Sequence, residues 1–549
     1  MIENYIKFSK NLSRIAGVIA AFMILTAVLI TVEMIWVRFV LNYSTAWQTE
    51  TVIYMMVGAT LIGLSYVQVL RGHVNVDLLP MLIRPKYQKI LACLTSITSI
   101  IIVFIMFIYG FDYWLVAYEK NWTSDTVTAV PLKYPYLALP VGFGLFLFVF
   151  DGFRSLELMP EIFYGHLDNF ALLSIPMFII MGAAISSTRA GADLYEALDR
   201  WLTRVPGGLV ISNLGACALF AAMSGSSPAT CAAIGKMCIP EMKKRGYSDE
   251  VASGSIAAGG TLGILIPPSV TMIVYGISTE TSIGRLFLAG AIPGLLLVFL
   301  FMLWSIFSTW KSGNVDALNR KSFSWKERLE ILPRVIPFFA IILGVLYSLY
   351  GGVATPSETA AVGAILCLIV AVVIYKLWAP KSLWVVLRDS TRESIMILFI
   401  IAAAGVFSYM LSSLFITQSI AEWIGTLDVN RWVLMLTINI FLLIAGFFLP
   451  PVAVIVMAAP ILLPIITNAG FDPYWFAVIL TINMEIGLIS PPVGLNLYVI
   501  NGIAHEIPLN KILRGSLPFV MCMVIAIILL CVFPDIATWL PNYMMGDVK

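Results

Sequence analysis

Long apolar runs, separated by short polar segments, recur along the chain from about residue 15 to about residue 540. The apolar residues are continuous rather than alternating, which predicts membrane-spanning helices and excludes the alternating strands of a transmembrane β-barrel. Four spans come first and twelve further apolar segments follow, at about 15–37, 51–70, 89–110, 134–153, 168–187, 208–223, 229–242, 250–277, 288–308, 331–350, 356–377, 391–411, 432–448, 452–468, 474–503 and 514–538. The pattern therefore predicts an all-α polytopic membrane protein.

Two of these predicted helices are interrupted by a glycine that is followed four residues later by a pair of prolines. The stretches are GGTLGILIPPSV at 259–270 and NMEIGLISPPVG at 483–494, offset by 224 positions. Each follows two half-length apolar segments, which are divided by MSGSSPAT at 223–230 and by FFLPPVAV at 447–454. Matched interruptions in the two halves of a sequence are typical of transporters whose binding site lies at the broken helices.

The charges of the turns indicate that the two halves are inverted. The turn at 243–250, KKRGYSDE, is rich in basic residues and is expected in the cytoplasm, whereas the equivalent turn at 468–475, NAGFDPYW, contains no Lys or Arg. We therefore expect two re-entrant hairpins that approach mid-membrane from opposite sides, with tips near 224–228 and 448–452. Each hairpin precedes one helix that is broken at its Pro-Pro pair.

The same reasoning divides the chain into parts. We expect a small four-helix membrane unit at 1–154, a junction at 155–168, a first inverted repeat at 169–310, a cytoplasmic linker at 311–330, a second inverted repeat at 331–540 and a tail at 541–549. Basic residues on both sides of the junction are assigned to the cytoplasm, yet the junction is too short and too polar to cross a bilayer. Either this topology is wrong, or the chain lacks at least one further crossing that we expect between about 154 and 168.

Composition removes several function classes. Of the 549 residues, 60% are hydrophobic and 12% are charged, and the net charge of +2 gives no reason to expect a nucleic-acid partner. The seven cysteines form no CxxC pair and are interpreted as small hydrophobic residues. Thr230 and Met237 break the only stretch that approaches an ATP-binding loop, so transport is expected to use an ion gradient and no ATP.

The broken helices suggest the chemistry of the site. Unwound backbone persists in a membrane only where it lines a cavity or a ligand, and carbonyls that lose their amide donors to proline are hard oxygen ligands for a small cation. Hairpin tips present backbone amides to an anion. Glu485 is a mid-membrane carboxylate, which is costly and often functional. It is expected to be an ion ligand or an anchor of the break, or else a structural partner of a nearby amide.

The chain resembles the tripartite ATP-independent periplasmic (TRAP) transporters. Residues from about 165 to 540 resemble the large membrane subunit, through LLSIPMFIIMG, IPPSVTMIVYG, GRLFLAGAIPGLLL, TPSETAAVGA and EIGLISPPVGLNLYV; residues 1–154 resemble the small four-helix subunit, through VRFVLN, WQTE and RGHVNVDLLP. The resemblance implies a fused importer of the bacterial inner membrane for organic-acid anions, often C4-dicarboxylates or sugar acids. It also implies sodium as the coupling ion, an elevator-type movement and a periplasmic substrate-binding protein.

Two departures from the family pattern are visible. The large subunit normally begins with another apolar helix before LLSIPMF, and that helix is absent here, in agreement with the missing crossing. The second hairpin turn often carries an Asp in the family, but residues 446–456 contain no acid. Backbone carbonyls are therefore the expected donors at this turn.

The candidate site residues lie at the hairpin tips and the breaks. Sodium is expected at Ser224, Gly225, Ser226, Ser227, Gly260, Thr261, Gly263, Gly446, Pro450, Pro451, Glu485, Gly487 and Ser490. The substrate is expected at Ser226, Ser227, Pro228, Pro267, Pro268, Asn483, Pro491, Pro492 and Asn496. Neither turn carries a Lys or Arg, so sodium would also supply the positive charge that an anionic substrate needs.

Three other functions were weighed against this one. A stand-alone sodium–dicarboxylate symporter shares the inverted hairpins but needs no binding protein, and the N-terminal four-helix unit argues against it. A membrane-embedded enzyme would need clustered His and acidic residues, whereas the three histidines are far apart at 73, 166 and 505. Paired re-entrant hairpins without a ring of charged residues fit an alternating-access transporter better than a channel.

Overall fold

The computed structural model describes residues 2–39, 41, 45–69, 85–124, 129–139, 141, 164–202, 205, 207–312, 323–413 and 430–546. The described residues are mainly helical and contain no β-strand; one isolated bridge joins Thr123 and Pro131. Eight of their helices are long and apolar enough to cross a membrane, and a bent pair at Phe170–Ser186 and Ala190–Leu202 brings the number to nine. The prediction of an all-α polytopic membrane protein is confirmed.

The chain divides into two compact units. The first contains Met1–Met177 and Leu383–Ser419, and the second contains Phe178–Ser382 and Ile420–Lys549. The described helices that begin in the first unit include α1 (Ile2–Phe39), α2 (Ala46–Val69), α3 (Pro85–Glu119) and α4 (Ser174–Ser186, which continues into the second unit).

Within the first unit, α1 and α2 pack closely through small residues. A Cβ atom on Gly17 would lie 2.3 Å from the ring of Tyr66, and one on Gly58 would lie 2.5 Å from the methyl group of Met23. At the end of this pair the Gln48 amide donates to the Glu33 carboxylate at 3.2 Å. Small residues allow such close approach where apolar surface alone gives no driving force between helices. Most of the fourth predicted span and most of the junction, where a further crossing was expected, lie outside the described residues.

The second unit contains the hairpin and the broken helix of each half of the predicted repeat. Its first half has α5 (Ala190–Leu202), α6 (Gly208–Ser224), α7 (Ser227–Lys244), α8 (Asp249–Thr261), a 3-10 turn (Leu262–Ile264), α9 (Val270–Ser278) and α10 (Ile283–Ser312). Then follow α11 (Trp325–Glu330), α12 (Leu332–Tyr350), α13 (Pro356–Val373) and α14 (Pro380–Ser413, most of it in the first unit). The second half has α15 (Arg431–Phe448), α16 (Pro451–Asn468), α17 (Pro473–Leu488), α18 (Leu495–Ile503), α19 (Leu509–Val532) and α20 (Asp535–Met545).

The breaks occur where the prolines predict them. The two-residue breaks at 225–226 and 449–450 divide each hairpin into helices of 17 or 18 residues. The helices that follow are interrupted between Thr261 and Val270 and between Leu488 and Leu495, and both Pro-Pro peptide bonds are cis. In each half, both hairpin arms pack on the broken helix. The approach of the two tips from opposite membrane sides stays a prediction.

One predicted segment is divided differently. The apolar run at 514–538 was expected to be one span, but α19 ends at Val532 and α20 begins at Asp535. Pro534 lies between them, and the residue before a proline is disfavoured in the helical conformation. The second helix, α20, then continues to Met545.

Candidate ion and substrate site

The first hairpin tip is a tight polar turn. Gly225 ends α6 in the left-handed conformation (φ 57°), which glycine adopts without the Cβ strain of other residues. Ser226 then precedes α7, and its carbonyl accepts from the Thr230 amide at 3.1 Å and from the Thr230 hydroxyl at 2.9 Å. The hydroxyls of Ser224 and Thr230 are 2.7 Å apart. The tip is therefore held by its own hydroxyl groups.

This tip lies directly against the first broken helix. A Cβ atom on Gly263 would lie 2.8 Å from the Ser226 carbonyl oxygen, and one on Gly225 would lie 3.0 Å from the Pro268 carbonyl oxygen. Distances below 3.0 Å are too short for a real side chain. Glycine at 263 is thus required by the approach of two backbones. The prediction that this tip faces this break agrees with the geometry.

The second tip meets the second break in the same way. A Cβ atom on Gly487 would lie 2.3 Å from the Gly446 carbonyl oxygen. The amide of Val493, within the break, donates to the Phe447 carbonyl at 3.3 Å. That carbonyl needs an external donor because residue 451, one helical turn later, is a proline without an amide hydrogen.

Proline removes the usual amide donor from four carbonyls at these contacts. Pro228, Pro267, Pro450 and Pro491 stand four residues after Ser224, Gly263, Gly446 and Gly487, respectively. In an α-helix the carbonyl of residue i accepts from the amide of residue i+4, so none of the four can form that bond. Ser490 offers its amide to the Gly487 carbonyl only at 3.4 Å. Each hairpin tip and each broken helix therefore contains one carbonyl that lacks its helical donor.

A hydrogen bond connects the two halves within the second unit. The side-chain amide of Asn496, at the start of α18, donates to the Ser227 hydroxyl at 2.8 Å and to the Ala257 carbonyl at 3.2 Å. Ser227 and Asn496 are both fully buried. The structure thus joins two predicted substrate residues to each other, and their neighbours Ser226 and Pro228 stay partly exposed.

The two breaks differ in exposure. Pro267 and Pro268 are buried, whereas Pro491 is exposed and Pro492 is partly exposed. Ser490 is buried beside them. An approaching ligand therefore reaches the second break more easily than the first.

The sequence analysis did not predict two hydrogen-bonded polar pairs, each between a hairpin arm and the broken helix of the same half. In the first half the Asn213 amide donates to the Ser255 hydroxyl at 3.1 Å, and in the second the Asn483 amide donates to the Asn439 side-chain oxygen at 2.6 Å. Of these four residues only Asn483 was predicted. A lone asparagine inside an apolar span, as at 213 and 439, is the signal that would have found them.

Glu485 is not directed at the second hairpin tip. It precedes Gly487 by two residues and follows Asn483 by two, which places it about 200° around α17 from both. The carboxylate is fully buried, and neither oxygen has a hydrogen-bond partner in the part of the chain that the structure describes. Thr261 holds the equivalent position in the first half and donates to the Ala258 carbonyl of its own helix at 2.7 Å. The structure does not bring either side chain to the tip-and-break contacts.

Charged residues lie at the base of the first hairpin. Lys511 donates to the Asp249 carboxylate at 2.9 Å, and Lys243 pairs with Asp249 at 3.3 Å and with Glu506 at 3.4 Å. The hydrogen bond from Lys511 and that from Lys243 lower the pKa of Asp249 below its usual value. This network fixes the ends of α7, α8 and α19.

Comparison with models of known protein families identifies the family of this chain. Residues 125–536 match the family model described as tripartite ATP-independent periplasmic transporter, DctM component, and residues 27–151 match the DctQ component. The chain belongs to the TRAP transporter family. The two matches make it a fusion of the small and large membrane subunits of a TRAP transporter, and they overlap at 125–151.

Relatives and a solved structure agree with that assignment. The large permease protein DctM of a C4-dicarboxylate TRAP transporter from Pseudomonas aeruginosa is 38% identical over 74% of this chain and 94% of its own length. The large permease protein SiaM of a sialic acid TRAP transporter from Vibrio cholerae is 32% identical over 75% of this chain and 96% of its own length. The YdaH transporter of Alcanivorax borkumensis shares the fold (TM-score 0.53, 16% identity, 70% of this chain, 88% of that chain).

These findings identify the class of function. The chain is a multi-pass protein of the bacterial inner membrane and a secondary transporter, not an enzyme. TRAP permeases work with a periplasmic substrate-binding protein and carry organic acids. The expectations of a TRAP resemblance, a binding-protein partner and an inner-membrane location are confirmed.

Proposed function

We propose that this TRAP permease imports an organic-acid anion, a C4-dicarboxylate or a sugar acid, by coupling it to sodium. The observation that carries the proposal is the contact of each hairpin tip with its broken helix at a glycine, in segments where proline deprives one carbonyl of its helical donor. The names of the Pseudomonas and Vibrio relatives support the substrate class.

The proposal assigns one sodium ion to each tip-and-break contact. The first uses the carbonyls of Ser224 and Gly263 with the surrounding backbone of Gly225, Gly260 and the Ser226–Ser227 turn. The second uses the carbonyls of Gly446 and Gly487 near Pro450, Pro451 and Ser490. Oxygen ligands suit a hard monovalent cation, and a neutral donor set leaves the positive charge of sodium uncompensated. Because Glu485 faces away from the second contact, the proposal rests on carbonyls rather than on its carboxylate.

The bound sodium ions supply the positive charge that an anionic substrate needs. The described residues of both tips include no Lys or Arg, so the substrate carboxylate is attracted by sodium and by the amides of the tips. Sodium and substrate each strengthen the binding of the other, by about 1–3 kcal/mol in typical coupled systems. Both hairpins and both broken helices lie in the second compact unit, which supports an elevator movement of these elements together.

Uptake into proteoliposomes tests the proposal. The purified chain is reconstituted with its periplasmic binding protein and a radiolabelled C4-dicarboxylate or sugar acid. We expect uptake only with an inward sodium gradient and only with the binding protein present. Undiminished uptake in sodium-free buffer under a proton gradient would refute sodium coupling. Uptake without the binding protein would instead favour a stand-alone symporter.

A further inference from the structure

A cavity of about 360 Å³ lies at the base of the first hairpin, away from the tip-and-break contacts. It is open on one side and is lined by the turn between α7 and α8, by the last turns of α10 and by the first turns of α19. Because α10 ends at Ser312 and α19 begins at Leu509, the cavity lies near one membrane face. Its volume is in the range of small-molecule binding sites.

The lining changes from polar to apolar along the two long helices. Ser308 and Thr309 of α10 and Arg514 of α19 lie toward the ends of these helices. Trp304, Pro518 and Phe519 line the cavity four or five residues deeper, which is about 6 Å farther into the membrane at 1.5 Å per residue. A ligand that matches this gradient has a polar head at the membrane face and an apolar portion directed inward. This is the shape of a membrane lipid.

The polar end of the cavity carries one charge of each sign. Arg514 and Glu250 both line it, and the described chain gives neither an ion pair. The neighbouring charged side chains of Lys511 and Asp249 bond to each other at 2.9 Å, so they do not compete for a ligand in the cavity. A cavity with one cation and one anion fits a zwitterionic headgroup better than a purely anionic one.

Two hydroxyl groups of the cavity, those of Ser248 and Thr309, differ in what they can offer a ligand. The Ser248 oxygen accepts from the Val251 amide at 3.3 Å, which leaves its hydrogen free to donate to a phosphate. The Thr309 hydroxyl donates to the Ser305 carbonyl at 2.8 Å, which leaves its oxygen free to accept from an ammonium group. The N-terminus of α8, next to Ser248, adds a positive dipole end near the phosphate position.

We propose that this cavity binds an aminophospholipid, with the phosphate at Arg514 and Ser248, the ammonium group at Glu250 and Thr309, and an acyl chain along Trp304 and Phe519. The lipid would hold the first hairpin turn against α10 and α19. The proposal is independent of the coupling ion and of the transported substrate.

Native mass spectrometry of the full-length protein tests this assignment with phosphatidylethanolamine, phosphatidylcholine and phosphatidylglycerol. We expect preferential retention of phosphatidylethanolamine, because the trimethylated choline group has no N–H donor and the glycerol headgroup has no cation. Arg514→Gln and Glu250→Gln should each reduce retention at least about tenfold, the usual effect of losing a charge-assisted hydrogen bond. Val251→Trp should do the same by filling the mouth, and Lys326→Gln, an exposed basic residue outside the cavity, should match the wild type.

Several results would overturn the proposal. They are equal phosphatidylethanolamine retention by the wild type and all three cavity variants, phosphatidylglycerol retention at least equal to that of phosphatidylethanolamine, and competition by free phosphoethanolamine as strong as that by the lipid. Size-exclusion chromatography establishes that each variant is folded. The exposed positions of Arg514 and Val251 make both substitutions compatible with the fold.

Discussion

The Asn496 side-chain amide donates to the Ser227 hydroxyl at 2.8 Å, across 269 positions of the chain. This bond joins the tip of the first hairpin to the helix that follows the second break. Both residues are fully buried, so neither exchanges this partner for water in the structure. The two halves of the repeat are therefore joined by a buried polar contact at the proposed site.

Loss of this contact should impair transport. Ser227→Ala and Asn496→Ala each leave a buried polar group without its partner, which typically costs about 1–3 kcal/mol. We expect the initial uptake rate to fall at least about tenfold for both variants. Ser212→Ala is the matched control, because that buried hydroxyl donates only to the Gly208 carbonyl of its own helix. Equal uptake by Ser227→Ala and Ser212→Ala would show that the contact is dispensable.

A methyl group at the glycine contacts should separate tip from break. Gly263→Ala and Gly487→Ala place a Cβ atom 2.8 Å from the Ser226 oxygen and 2.3 Å from the Gly446 oxygen, respectively. Both obstacles are backbone atoms, so the tip must move. We expect uptake below about a tenth of the wild-type rate, since overpacking typically costs about 1–3 kcal/mol. Gly502→Ala, with nothing within 4 Å of its Cβ, should transport normally.

An amide at position 450 should compete with sodium. Pro450→Ala supplies the donor that the Gly446 carbonyl lacks, so the carbonyl can bond within an extended helix. We expect the sodium concentration for half-maximal uptake to rise at least about fivefold, which corresponds to about 1 kcal/mol, a typical net hydrogen-bond contribution. Pro460→Ala in α16 makes the same chemical change ten residues from this position and should leave the sodium dependence unchanged. An unaltered value for Pro450→Ala would remove the Gly446 carbonyl from the site.

Variants of Glu485 test whether the sodium ligands are backbone carbonyls rather than this carboxylate. Because its side chain lies about 200° around the helix from Gly487, Glu485→Gln should leave the half-maximal sodium concentration within about twofold of the wild type. Glu485→Ala removes buried volume and should lower the thermal stability by more than the glutamine variant does. A loss of sodium dependence in Glu485→Gln, with normal folding, would make the carboxylate a ligand.

The charged base of the first hairpin predicts a dependence of stability on pH. Lys511 and Lys243 lower the pKa of Asp249, so its contribution is present above the ordinary aspartate pKa and disappears as the pH falls through the lowered value. The difference in melting temperature between the wild type and Asp249→Asn should be constant from about pH 8 to about pH 5 and should shrink as the pH falls below the ordinary aspartate pKa of about 4. A difference that changes between pH 5 and 8 would contradict this account.

Proline and glycine made the breaks predictable from sequence. Each Pro-Pro pair removes two amide donors from a helix, and the tips at 225–226 and 449–450 fall within the predicted turns. The pairing of Gly263 with the first tip and of Gly487 with the second also followed from the repeat. Such breaks depend on a few adjacent residues, so they can be predicted from the local sequence.

The bonds between distant residues were not predictable in the same way. Nothing in the local sequence indicates that Asn496 meets Ser227, or that Asn439 meets Asn483, because these pairs depend on how helices far apart in the chain pack. The direction of Glu485 could have been deduced from its two-residue spacing to Gly487. Its costly burial drew attention to the residue but gave no information about the face on which it lies.

Equilibrium binding of radioactive sodium to the purified protein tests the central claim most directly. The account predicts two saturable sodium ions per chain, of which Gly263→Ala loses one and Gly487→Ala loses the other, while Gly502→Ala retains both. Potassium at equal concentration should not displace these ions. Absence of saturable sodium binding, or retention of both ions by Gly263→Ala and Gly487→Ala, would contradict the account.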